Sequence, residues 1–226
     1  ATPHCTAAAL EDCCFKRHLA MLHPLCCPPG GGGAFADAVR AAKVWLAQRG
    51  LRHRYDGLNG FLAAMVLLHL VQAKKVSAAA DALRLFQSLL RFLAGGGLLA
   101  SSAAAAAVPS LAPLQGEADV AAGREAAFRA HYPCVLLDRG AGLNVLARVS
   151  AAAAEEVAGL ARVTLDLLAG GAGGHAAFAG AFLERDAVWG RYDAFVQVPC
   201  VGSADLSAAP GVDGEEDGDP VRAAAL

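Results

Sequence analysis

Between residues 34 and 49 apolar side chains return every three or four positions, at Phe35, Val39, Ala42 and Leu46, with Trp45 beside the stripe and Gly50 as a stop. That spacing predicts a helix with one buried face. Asp56 to Gly60 reads as a turn, and the run from Phe61 to Gln72 has no polar face, which predicts a helix enclosed by others. Leu83, Phe86, Leu90 and Leu93 form a further stripe, with Ser77 as its cap and Gly95 to Gly97 as its end. A fourth helix is expected over Leu10 to Leu25.

Residues 96–123 are Gly, Ala, Ser and Pro with few large side chains, so they are expected to form a linker or disordered insertion that cannot repay its ordering entropy. The period then changes. Tyr132 to Leu137 and Leu143 to Val149 read as strands, with Gly140 and Gly142 marking the turn between them. Ser150 starts a helix whose Val157, Leu160, Thr164 and Leu167 share a face, Gly170 to Gly174 ends it, and Val188 to Val198 alternates as a third strand. The expected fold class is α+β: an N-terminal all-α domain over 13–95, then a small α/β domain over 124–199 with a mixed or antiparallel sheet. An acidic, Gly-rich tail fills 200–226.

Composition changes this picture only at its margins. With 56% hydrophobic and 18% charged residues, the 226-residue chain has ample core material, though alanine tracts such as Ala103 to Ala107 inflate the figure. A formal charge of −2 carries no broad basic signature and disfavours a free-standing RNA-binding module. The most apolar run, Phe61 to Val71, is about half the length a membrane helix needs, so no membrane association is expected. Seven cysteines, paired at Cys13-Cys14 and Cys26-Cys27, do not make a secreted disulfide framework and imply a reducing compartment. The opening Ala1-Thr2-Pro3 has neither an initiator Met nor a signal sequence, as expected of an internal piece of a longer protein.

Two segments carry a family resemblance: Lys43-Val44-Trp45-Leu46-Ala47-Gln48-Arg49-Gly50-Leu51, followed by Gly57-Leu58-Asn59-Gly60-Phe61. Both resemble the helical region that follows the catalytic palm in poly(A) polymerases, terminal uridylyltransferases and oligoadenylate synthetases. Within that superfamily they are similar to the Nrap family of nucleolar proteins. Weaker matches follow in the family's order at Leu85-Phe86-Gln87 through Ala94, at Val135-Leu136-Leu137-Asp138 through Leu143-Asn144-Val145, and at Tyr192 to Val196. The opening Thr2-Pro3-His4 with Leu10-Glu11-Asp12 resembles the junction out of a preceding nucleotidyltransferase-like domain, although Cys5-Thr6 stands where the family has Tyr-Asn.

The resemblance implies that 1–12 is the tail of that preceding domain, that 13–95 is the family's second, PAP/OAS-like helical domain, and that 124–199 is most of its third. It further implies a nucleolar, non-catalytic scaffold of pre-rRNA processing and small-subunit biogenesis in the small-subunit processome. Pre-ribosomal RNA and processome proteins would be its partners, with no cofactor, metal or small-molecule substrate. The alternative is the substrate-binding region of an active RNA nucleotidyltransferase.

Candidate chemistry is sparse. Gly202-Ser203 ahead of Asp213-Gly214-Glu215 imitates a nucleotidyltransferase triphosphate and magnesium motif, but Pro210 and Gly211 leave no strand to fix the carboxylates, so no catalytic residue is assigned. Cys14, His18, His23, Cys26 and Cys27 cluster, yet their spacing lies along one helix rather than in paired zinc knuckles, and helix-surface histidines with small buried cysteines are expected instead. His69 is expected as a hydrogen-bonded core histidine. Arg49, Arg52 and Arg54 with His53, then Lys74 and Lys75, form a candidate RNA footprint, against the simpler reading that cations complement helix C-termini. Asn59, between Gly57 and Gly60, is the remaining RNA-binding candidate, because in active relatives its loop abuts the nucleotide cleft; a tight interhelical turn needs the same glycines.

Overall fold

In the computed structural model the described residues are 3–29, 31, 33–51, 54–100, 108–169, 176 and 178–183. The chain divides into two compact units, residues 1–188 and 189–226, and every described residue lies in the first. The expected third strand and acidic tail therefore fall outside the described residues, as does the Gly202 to Glu215 stretch.

Two helices, α1 (Pro3–Cys13) and α2 (Phe15–Cys26), stand where one was expected, with the break at Cys14. Helix α3 (Ala34–Gln48) buries Phe35, Ala38, Ala42, Trp45 and Leu46, close to the stripe its periodicity predicts. Helix α4 (Gly60–Gln72) is sheathed, and every residue from Leu62 to Leu70 is buried. Each large apolar side chain so enclosed contributes about 1.5–3 kcal/mol, which is why this run tolerates no polar face.

Helix α5 (Ala82–Ala94) begins later than expected. Asp81 is the cap, its carboxylate accepting from the Arg84 amide at 2.8 Å, while Ser77 Oγ accepts from Ala79 N at 3.2 Å in the preceding loop. Phe86, Leu90 and Leu93 face the core together with Leu85 and Leu89, but Leu83 is 52% exposed.

Helices α3, α4 and α5 end alike. After α3, Gly50 N donates to Ala47 O and Leu51 N to Leu46 O; after α5, Gly96 N donates to Leu93 O and Gly97 N to Phe92 O. This is the Schellman arrangement, which needs a left-handed residue, and Gly50 and Gly96 supply it at φ of 66° and 70°. After α4 the same bonds run from Lys74 N to Val71 O and from Lys75 N to Leu70 O. Here Lys74 takes φ 55°, the one non-glycine in that region among the described residues.

A three-stranded mixed sheet follows. Strand β1 (Ser110–Leu111) pairs parallel with β2 (Leu137–Asp138), which pairs antiparallel with β3 (Leu143–Asn144). The predicted hairpin is present with its strands shortened to two residues. Buried Asn144 explains the shortening: its Oδ1 accepts from Leu136 N and Leu146 N and its Nδ2 donates to Cys134 O, so a side chain takes over ladder bonds and the backbone turns away.

The expected linker over 96–123 is corrected by this sheet. Leu98 and Leu111 are buried, Leu99 bridges Cys134, and β1 lies inside the expected linker, while 101–107 fall outside the described residues. A few leucines at the right positions suffice where average composition argued for disorder. Helix α6 (Glu125–His131) precedes the hairpin and α7 (Ala151–Ala169) follows it, with Ser150 Oγ accepting from Ala153 N as the predicted cap. Helix α7 packs on α5, and a π-helical turn, Ala179–Leu183, packs on α3 and α7. One apolar cluster runs from Met21 to Ala161, so the boundary expected near 95 does not separate two cores.

Candidate functional site

The two segments that carry the sequence resemblance meet in space. Lys43, Val44 and Ala47 of α3 face Asn59, Gly60 and Phe61 at the start of α4 across a cleft of about 440 Å³. Asn59 is the N-cap of α4, its Oδ1 accepting from Leu62 N at 2.9 Å. Gly60 packs closely under the aliphatic stem of Lys43, and a Cβ there would force that exposed side chain to move. The cleft thus joins an exposed lysine, the positive end of a helix and an apolar wall, which suits an anionic group attached to a flat apolar one. Among the described residues no carboxylate, imidazole or thiol lines it. Lys43 and Phe61 were not singled out as site residues; the packing of α3 against α4 brings them together, and spacing along the chain does not show it.

The described residues among the six predicted RNA contacts do not form one surface. Arg49 is 6% exposed and its Nη2 donates to the Gly180 carbonyl, so it is a buried tether between α3 and the π-helical turn. This corrects the expectation that it faces RNA: Arg49 follows Trp45 and Leu46 at helical spacing and so falls on the buried side of α3. Arg52, with His53, lies outside the described residues. Arg54 pairs with Glu156 and, at 3.5 Å, with Asp56. Asn59 and the pair Lys74 and Lys75 sit at opposite ends of α4, roughly 20 Å apart at 1.5 Å per residue. Lys74 and Lys75 are exposed, and the Lys75 ammonium lies 5.2 Å from the centre of the Phe92 ring.

Sequence reasoning missed one buried polar network. His18, expected on a helix surface, is 0% exposed, and its Nε2 donates to Asp138 Oδ2 at 3.0 Å. Arg17 Nη2 donates to Asp138 Oδ1 at 2.8 Å and lies 3.0 Å from Glu117 Oε2, so α2 is fastened to the hairpin turn and to the loop before it. Burial alone would raise the Asp138 carboxyl, but the bonds from His18 and the Ala141 amide and the Arg17 guanidinium outweigh it and hold the carboxyl below its ordinary range.

Residues 34–185 match the family described as the Nrap protein PAP/OAS-like domain, more than half of the chain. The chain belongs to the Nrap family. The Nrap match runs through the expected linker and includes both the helical half and the sheet, in accord with the shared core. Human Nucleolar protein 6 is 30% identical over 172 residues, covering 74% of this chain and 14% of the relative. Mouse Nucleolar protein 6 is 30% identical over 169 residues with the same coverage, and that of Xenopus tropicalis is 36% identical over 93 residues, 41% of this chain and 8% of the relative. The chain therefore spans 14% of the length of the human and mouse relatives.

Two further groups of this Nrap domain are structural. His69 is 6% exposed and its Nδ1 donates to the Ser110 carbonyl at 2.7 Å, fastening β1 to α4 as a hydrogen-bonded core histidine. Burial pushes its pKa below the ordinary value, nearby Lys75 adds to the depression, and the bond to Ser110 opposes both. Burial also pushes the Cys134 thiol up to about 12. Cys13, Cys14, Cys26, Cys27 and Cys134 are free thiols, and burial raises the pKa of Cys14 and Cys26, the opposite of what an activated nucleophile needs.

Proposed function

We propose that the chain is a non-catalytic scaffold segment in pre-rRNA processing and small ribosomal subunit assembly, acting in the nucleolus within the small-subunit processome. Pre-ribosomal RNA and processome proteins are its partners in this reading. The name of its relatives, Nucleolar protein 6, supports the location. The observation that supports the non-catalytic part is the makeup of the α3–α4 cleft: among the described residues its lining offers binding groups and no carboxylate, imidazole or thiol. The strongest polar constellation elsewhere in the described residues, Arg17 with His18 and Asp138, is committed to holding α2 on the hairpin.

One observation favours a second reading, in which the chain is the substrate-binding region of an active RNA nucleotidyltransferase. The cleft has the size and polarity to hold a nucleotide, and the reacting groups would come from elsewhere in the protein. The deciding experiment is purification of the tagged protein from cells, with associated RNA sequenced and proteins identified. Recovery of small-subunit precursor RNA with processome proteins, and no nucleotide addition to RNA, supports the scaffold; nucleotide addition by the purified protein without those partners overturns it.

A further inference from the structure

The last turn of α5 gathers cations from three elements. Successive helix residues turn by about 100°, so in this turn Ala94, Arg91 and Phe92 follow one another around the solvent side while Leu93 faces the core. Arg162 of α7 reaches in from one side, its Nε donating to the Ala94 carbonyl at 3.1 Å. Lys75 reaches in from the other, over the Phe92 ring at 5.2 Å. Arg91 is exposed between them, and Lys74 adjoins Lys75. Among the described residues none of these four cations is in an ion pair. Asp166, one turn along α7 from Arg162, forms no ion pair with it either.

A helix C-terminus accounts for some positive charge, since cations complement its carbonyls. It does not account for Lys74. That residue holds a left-handed backbone that costs any side chain with a Cβ, and the two equivalent helix ends in the same fold use Gly50 and Gly96. A lysine kept where the backbone asks for glycine points to a role for its charge.

We propose that Lys74, Lys75, Arg91 and Arg162 form a contact surface for the phosphodiester backbone of RNA. The cations lie along an arc rather than around a pocket, the arrangement that tracks a polyanion and reads no bases. Arg91 and Arg162 supply planar forks for phosphate oxygens, and the lysines supply point charges. The inference rests on the pre-rRNA partnership proposed above and locates it on the opposite end of α4 from the α3–α4 cleft.

The test measures binding of the chain to a fluorescein-labelled polyuridine oligonucleotide between about 50 and 200 mM salt. Removing all four cations in K74G/K75Q/R91Q/R162Q should make the slope of log affinity against log salt shallower by roughly 3, at about 0.7 per phosphate contact on a single strand. K74G alone should weaken binding yet raise the thermal midpoint by about 1–3 °C, which separates lost contact from lost folding. An unchanged salt slope in the quadruple variant overturns the proposal, as does binding of a polyglutamate peptide through these residues in place of the oligonucleotide. If the oligonucleotide result holds but the tagged protein recovers no small-subunit precursor RNA, the surface stands and the processome reading falls. If precursor RNA is recovered equally by wild type and quadruple variant, the processome reading stands and the surface falls.

Discussion

Trp45 Nε1 donates a 2.9 Å hydrogen bond to Thr164 Oγ1, joining α3 to α7 between buried side chains 119 positions apart in sequence. Thr164 Oγ1 in turn donates to the Leu160 carbonyl at 2.8 Å, so the polar edge of the indole is satisfied inside the core. Replacing Thr164 by Val removes the acceptor and strands a buried N–H, at an expected cost of about 1–3 kcal/mol. Because both residues serve one bond, W45F with T164V should cost less than the sum of the single changes. Urea unfolding of the four proteins measures this; strict additivity would show that the bond carries no coupling.

Asp138 anchors a different connection. Its side chain is 0% exposed and that of Arg17 only 13%, so D138N leaves a guanidinium largely buried with Glu117 as its remaining charged partner among the described residues. Breaking a buried pair by removing one partner typically costs about 3–5 kcal/mol. We expect a loss near the lower figure in denaturant unfolding. A loss below about 1 kcal/mol would mean that α2 is held by its apolar contacts alone.

His69 sets a pH dependence of stability. Its folded pKa lies below the ordinary 6.5, so below about pH 6.5 the unfolded chain binds a proton that the folded chain resists. Stability is therefore fully present above that value and falls as the pH drops toward the folded pKa, by about 1.4 kcal/mol per pH unit within the window. Asp56 and Asp138, both lowered from 3.8, contribute only at more acid pH and do not overlap. Thermal midpoints from about pH 7.5 to 5.5 should decline in the wild type and flatten in H69Q, whose amide can still donate to Ser110.

Asn59 separates capping from ligand contact. N59A should cost about 1 kcal/mol by freeing the Leu62 amide, and N59S should recover most of it. Circular dichroism melts report the cap. RNA affinity that falls in N59S while stability is kept would assign Asn59 a contact beyond its cap.

Local chemistry was legible in the sequence and long-range chemistry was not. Helix α3, the sheathed α4 and the Ser150 cap follow from spacing that any one turn of helix displays. Strand β1 has two residues, too few for alternation to register, and its place is set by His69 and Leu137, which lie far away in the chain. His18 looked like a surface histidine because its partner Asp138 lies 120 positions on. The one available signal was Asp138 itself, an acid directly after Val135-Leu136-Leu137 where a strand should stay apolar. Candidate sites fared likewise: Asn59 was readable as a loop residue, whereas Lys43 joins it only once α3 lies against α4.

The shared core also sets a timetable for synthesis. Helices α3 to α5 are complete once residue 94 has been added, but the α7 residues that cover α5 run from 151 to 169. At about 5–20 residues per second, those 75 further residues take roughly 4–15 s. For that interval the part of α5 that packs on α7 awaits its cover, so the nascent chain carries a transiently open apolar face.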